Sequence, residues 1–79
     1  MENGTTEALR RRFADAFDGY AREGVLLRDL LFELEAPPKS QRLWDLNKQQ
    51  DRLDHALRDY NEARQAYMFH LLRAFVRSE

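Results

Sequence analysis

Glu35-Ala36-Pro37-Pro38-Lys39-Ser40 is the stretch that decides the fold. Pro37 disfavours helical geometry in the residue before it, and neither proline has a main-chain N–H to donate to a helix. A helix arriving from the N-terminal side therefore ends here. Ser40 then offers a hydroxyl that can accept from the first free amides of a second helix. The stretch predicts a loop over residues 36–40 between helix 1, about residues 6–35, and helix 2, about residues 41–77.

The composition favours a small all-α protein. The 79 residues allow a single domain, with 5 Gly and Pro residues in all (Gly 3, Pro 2) and few β-branched ones. A domain of this size buries a modest share of its surface, so packing against a second chain is an expectation from length alone. Lys and Arg number 13 against 14 Asp and Glu. This balance gives no positive field to hold a polyanion, so no nucleic acid is expected as a partner.

Helix 1 shows one apolar stripe with a disturbance in its middle. Residues 1–5 are predicted to be a flexible tail, and Thr5 or Thr6 to cap a helix that begins near Glu7. The stripe recurs at spacings of three and four residues, which keeps it on one helix face. Two glycines interrupt it, which leaves open whether helix 1 is continuous or broken between Gly19 and Gly24. The stripe consists of Leu9, Phe13, Ala16, Phe17, Tyr20, Leu27, Leu31 and Leu34.

Helix 2 shows a longer stripe that would match the first in an antiparallel hairpin. Folding the chain at the prolines places Gly24 opposite Leu53 and Phe17 opposite Tyr60. On this register the end of helix 2 extends beyond helix 1. Gln50 and Arg64 are the polar members of the stripe, where they would set the helix register. The predicted stripe is Leu43, Leu46, Gln50, Leu53, Leu57, Tyr60, Arg64, Tyr67, Leu71 and Ala74.

The apolar surface exceeds what one hairpin can cover. Burial of one Leu or Phe side chain is worth roughly 1.5–3 kcal/mol. If several such side chains stayed in water, the lost free energy would be as large as the whole stability of a small domain. We expect a homodimer in which two hairpins form a four-helix bundle. Open alternatives are a helix of a different protein, three helices if helix 1 folds back, and a lipid surface. The predicted association surface is Leu26, Leu30, Met68, Leu72, Phe75 and Val76.

The titratable residues lack the patterns of a catalytic or metal site. His55 and His70 are fifteen residues apart on helix 2, about 22 Å along its axis, so they cannot share a metal ion within one chain. No glycine-rich phosphate loop and no Glu-x-x-His pair occurs. We therefore expect no catalytic residue, no metal and no cofactor. The prediction is a non-enzymatic interaction or scaffold module, with a chaperone or adaptor that binds another protein's helix as an alternative.

One short motif suggests an enzyme instead. Arg64-Gln-Ala-Tyr-Met-Phe-His70 resembles the Arg, five residues, His signature of the helical HEPN ribonucleases. In that family, two such motifs across a dimer carry RNA cleavage. The resemblance implies a small ribonuclease that uses Arg64 and His70 and needs no metal. It covers seven residues, and Gln65 stands where the family usually has another polar residue after the arginine.

The sequence also bears on location. It has no cysteine, which fits a reducing compartment. Its longest apolar runs are far shorter than the roughly 20 residues needed to span a bilayer, and its first thirty residues lack a secretory pattern. We expect a cytoplasmic protein without a membrane span.

Overall fold

The computed structural model describes residues 2–34, 37 and 39–78, and the side chains among them from residue 4 to residue 76. They form two α-helices, α1 (Glu2–Glu33) and α2 (Ser40–Ser78), which pack against each other along their length. The molecule measures 61 × 17 × 15 Å, and its radius of gyration is 17.9 Å. A compact chain of this length would have a radius of gyration of about 12 Å. The predicted all-α hairpin is confirmed, and it is a rod.

The helix bounds differ from the expected ones at the N-terminal side. Helix α1 begins at Glu2, so Thr5 and Thr6 lie inside it, and it continues without a break through Gly19 and Gly24 to Glu33. The alternative of three helices is therefore wrong. A tightened last turn ends α1, where Leu34 N donates to Leu31 O. Ala36 and Pro38 of the predicted loop lie outside the described residues, as do Glu35, the predicted end of helix 1, and Met1 of the predicted tail.

Contacts along the rod confirm the antiparallel register. A Cβ atom added to Gly24 would lie 3.9 Å from Cδ1 of Leu53, and the rings of Phe17 and Tyr60 are 5.6 Å apart. At the open end of the hairpin, Thr6 reaches His70. Because α1 begins before the expected position, it accompanies α2 further than the sequence predicted.

The seam of α2, which is the row of its residues that faces α1, differs from the predicted stripe at every second position. Gln49 is buried, Gln50 is exposed, Ala63 is buried and Arg64 is exposed. The prediction that Gln50 and Arg64 lie in the seam is therefore wrong. Ala56 and Ala63 take seam positions, whereas Leu57 and Arg64, one position later, are exposed. The residues that face α1 are Leu46, Gln49, Leu53, Ala56, Tyr60, Ala63, Tyr67 and His70.

Aromatic side chains form the widest part of this seam. The ring of Tyr60 lies 5.7 Å from Phe13 and 5.8 Å from Tyr20, where it is stacked, in addition to its edge contact with Phe17. Tyr67 continues the row, 5.9 Å from Phe13. Even so, Ala63, at 1% exposure, is the one apolar residue classed as buried among those described. Two helices alone make a seam and no enclosed core.

Candidate association surface

The six residues predicted to form the association surface lie in different parts of the rod. Leu26 is exposed on α1, whereas Leu30 is half-buried. Four further members, all exposed, lie on the last turns of α2: Met68, Leu72, Phe75 and Val76. Met68, Leu72 and Phe75 are spaced by four and three residues and lie on one surface of α2, whereas Leu26 follows Gly19 by seven residues and lies on that side of α1.

One broad side of the hairpin carries a row on each helix in which exposed apolar residues recur, and we call it the apolar face. Phe17, Gly24 and Leu31 follow one another at intervals of seven residues on α1, which keeps them in line along a helix pair. On α2 the same interval separates the exposed residues Leu43, Gln50, Leu57, Arg64 and Leu71.

Contacts place the two rows of the apolar face on the same side. Phe17 meets the Tyr60 ring edge-on, and the Arg64 guanidinium lies 6.0 Å from the centre of that ring. Both residues therefore flank Tyr60 on its outward side. A groove of about 410 Å³ opens here along α1, lined by Gly24, Leu27, Arg28, Leu31 and Phe32.

The opposite broad side, the charged face, has a different chemistry. An open groove of about 440 Å³ runs between the helices there. Its lining mixes both signs of charge, because acids and bases alternate along each helix. This is the pattern of a hydrated surface with screened ion pairs. The lining residues are Gly19, Arg22, Glu23, Lys48, Asp51, Arg52, His55, Ala56 and Asp59.

Polar contacts between the helices occur at two heights. Near the middle, the buried amide of Gln49 donates to the main-chain carbonyl of Glu23 at 3.1 Å and also bonds its carboxylate. At the open end, Arg10 Nε donates to Tyr67 Oη at 3.2 Å. This bond and the carboxylate of Glu7 raise the pKa of Arg10, so its positive charge is secure.

The candidate catalytic and metal-binding residues are separated. His70 is half-buried, with Nε2 2.8 Å from Thr6 Oγ1, whereas Arg64 is exposed above Tyr60. His55 bonds through Nδ1 to the main-chain oxygen of Asp51 at 2.9 Å, and its own helix thus occupies one ring nitrogen. Among the described residues, no group of three His, Asp or Glu side chains could hold a metal ion.

Neither helix, over its described residues, has an apolar stretch long enough to cross a bilayer. No protein-family model, curated protein or solved structure matches this chain. The resemblance to HEPN ribonucleases thus rests on the spacing of Arg64 and His70 alone.

Sequence reasoning missed the apolar face because it assigned the same residues to the intrachain stripe. Phe17, Leu31 and Leu57 were all expected to face the other helix, and each is exposed. The available signal was their regular spacing. A seven-residue interval on both helices, next to a seam that is already complete, indicates a second apolar seam.

Proposed function

We propose that this chain is a non-enzymatic protein–protein interaction module that works as a homodimer, two hairpins joined through their apolar faces into a four-helix bundle. The observation that carries the proposal is the amount of surface that the single hairpin leaves in water. Its accessible surface is 6547 Å². A compact monomer of 9.4 kDa would expose about 5,000 Å².

The excess matches what a permanent dimer buries. If each copy covers about 1,500 Å², the interface amounts to about 3,000 Å² in total, within the range of obligate homodimers. Leucines and Phe17 recur in line among the side chains available for it. Burial of a Leu or Phe contributes roughly 1.5–3 kcal/mol, so covering Phe17, Leu57 and Leu71 supplies a stability that the seam of one hairpin lacks.

The charged face supports the choice of side. Once the apolar faces meet, the alternating acids and bases of the charged face remain in water, where such side chains are stable without partners. A dimer built through this face would have to dehydrate several ions, Arg52 and Asp59 among them, at a cost of several kcal/mol for each, whereas Arg64 is the charged member of the two rows of the apolar face.

The test compares substitutions of two leucines of similar exposure on different faces. Leu57, 37% exposed, lies on the apolar face, and Leu26, 42% exposed, lies toward the charged face. We expect wild-type protein to have twice the mass of one chain in light scattering. Leu57→Asp should yield a monomer or an unfolded chain, because a charge at a buried apolar surface is left without solvation. Leu26→Asp should remain a dimer.

Two results would contradict the proposal. A wild-type protein that is a stable monomer at high micromolar concentration needs no second copy, and the apolar face would then belong to a different protein. Loss of the dimer in Leu26→Asp, with Leu57→Asp unaffected, would mean that the copies meet through the other side of the hairpin.

A further inference from the structure

The row of α2 residues on the apolar face has the same order of leucine and polar positions from both ends. Leu43, Gln50, Leu57, Arg64 and Leu71 alternate between leucine and a polar residue, with Leu57 in the middle, and all five are exposed. A surface of this order is self-complementary when a second copy runs in the opposite direction. Leucine then meets leucine, and the amide of Gln50 meets the guanidinium of Arg64.

Two members of the α1 row, Phe17 and Gly24, lie on either side of the same height. Gly24 lies opposite Leu53 and Phe17 opposite Tyr60, so the midpoint between Gly24 and Phe17 falls at the level of Leu57. A copy turned around that level brings the exposed ring of Phe17 over Gly24, where no side chain occupies the surface. The largest residue of this row thereby meets the smallest, as close packing requires.

We infer that the two copies, in the dimer on which this inference rests, lie antiparallel, with the loop of one hairpin over the open end of the other. The two-fold axis crosses the helices at the height of Leu57. Helix α1 then packs on α1 of the second copy, and α2 packs on α2.

Charge opposes the other two-fold arrangement, in which the axis runs along the rod and both loops lie at one end. Arg10 bonds Tyr67, three residues from Arg64, so these two arginines lie within about one helical turn of each other along the rod. Copies that run in the same direction would gather four guanidinium groups in this region, where Glu7 pairs with Arg10 of its own chain. Like charges held together at an apolar contact repel one another in a medium where water screens them poorly. In the antiparallel arrangement, Arg10 and Arg64 of one copy lie far along the rod from Arg10 and Arg64 of the other copy.

Spin labels measure the orientation directly, since the chain has no cysteine of its own. Gln41→Cys places a label on an exposed position near the loop end of α2. In the antiparallel dimer its symmetry mate lies about 32 residues further along the rod, which gives a label-to-label distance of about 50 Å at 1.5 Å per residue. In the other arrangement both labels share one end, and the distance is less than about 30 Å. Arg58→Cys, close to the axis, should give less than about 30 Å in both cases.

The outcomes separate the two proposals. A dimer with a distance of about 50 Å for Gln41→Cys supports the antiparallel arrangement. A dimer with a short distance at that position overturns the arrangement and leaves the homodimer intact. A monomeric mass for the unlabelled protein overturns the homodimer itself, and the inferred orientation with it.

The contact of Phe17 with Gly24 has its own matched control. Gly24→Leu fills the gap on the apolar face and should raise the dissociation constant of the dimer at least about tenfold. Gly19→Leu makes the same change on the charged face, where an added Cβ meets nothing within 4 Å, and should alter the dissociation constant less than about twofold. Equal changes of the dissociation constant in the two variants, measured by analytical ultracentrifugation, would show that the Phe17 ring of the second copy does not pack on Gly24.

Discussion

Gln49 of α2 reaches across the seam and donates a hydrogen bond to the main-chain carbonyl of Glu23 on α1, 3.1 Å away. Gln49 is the one polar residue classed as buried among those described. Around Gln49 the seam consists of Leu46, Leu53 and Ala56, and such apolar surfaces tolerate a slide of one helix along the other. A directional bond at one height ties the register to a single position, as buried polar residues do in some helical bundles.

Gln49→Ala should lower the free energy of unfolding by about 1–2 kcal/mol, because it removes this bond and leaves a gap between the helices. The measurement is urea denaturation followed by circular dichroism. Gln65→Ala is the matched control: the same change at an exposed position of the same helix should cost less than about 0.5 kcal/mol. Equal losses in the two variants would show that the bond to Glu23 contributes nothing.

Tyr60→Ala should be among the most destabilising single substitutions in the chain. Its ring contacts Phe13, Phe17 and Tyr20, and the loss of a large aromatic side chain from such a cluster costs about 3 kcal/mol. Tyr60→Phe keeps the ring and should change the melting temperature little. Phe69→Ala, at an exposed position, is the control for the removal of an aromatic residue. A loss at Phe69 as large as at Tyr60 would contradict a stabilising role for the cluster.

The hairpin was predictable from sequence because its signals are local. Pro37 ends a helix by removing a donor and by steric clash, whatever surrounds it. The register followed from the short connection, since a turn at this position leaves Gly24 opposite Leu53 and Phe17 opposite Tyr60. Such constraints act on neighbours in the chain, and the structure agrees with both pairings.

The identity of every second seam residue was not predictable from the same pattern. An alternation of three-residue and four-residue steps fits Ala56 and Ala63 as well as it fits Leu57 and Arg64. From Leu53 to Tyr60, for example, the steps are three then four through Ala56, and four then three through Leu57. Hydrophobicity favours the set with leucines. Close approach of two helices favours the small residues, and it depends on both helices at once. The leucines were therefore assigned inward, and the apolar face that they form was not recognised.

Leu72→Asp combined with Phe75→Asp tests the last turns of α2, which the sequence placed in the association surface. Both side chains are exposed in the single hairpin, next to Leu71 of the apolar face. If the second copy covers this end, two carboxylates there should give a monomer or an unfolded chain, because they lose water on burial. A dimer of unchanged mass in light scattering and unchanged stability in thermal denaturation would show that these turns lie outside the interface. Gln65→Asp controls for added negative charge.

His70→Ala distinguishes the interaction module from a ribonuclease. His70 bonds Thr6 across the seam at 2.8 Å, so we assign the imidazole to packing of the open end. The substitution should lower the free energy of unfolding by about 1 kcal/mol, the usual net worth of one hydrogen bond. In a double-mutant cycle, the coupling free energy between Thr6→Ala and His70→Ala should be of similar size. RNA cleavage should stay at background for both the wild-type protein and the His70→Ala variant.

The ribonuclease hypothesis predicts the reverse pattern. His70 and Arg64 would then act on RNA across the dimer, and wild-type protein would cleave it without added metal. His70→Ala and Arg64→Ala would each abolish cleavage. Arg64→Gln provides the sharper comparison, because Gln50 already occupies the matching position of the apolar face, so the variant row becomes fully symmetric and the dimer should persist. Cleavage that disappears in a dimeric Arg64→Gln variant would establish an enzyme, whereas background activity in wild-type protein leaves Arg64 as a residue of the interface.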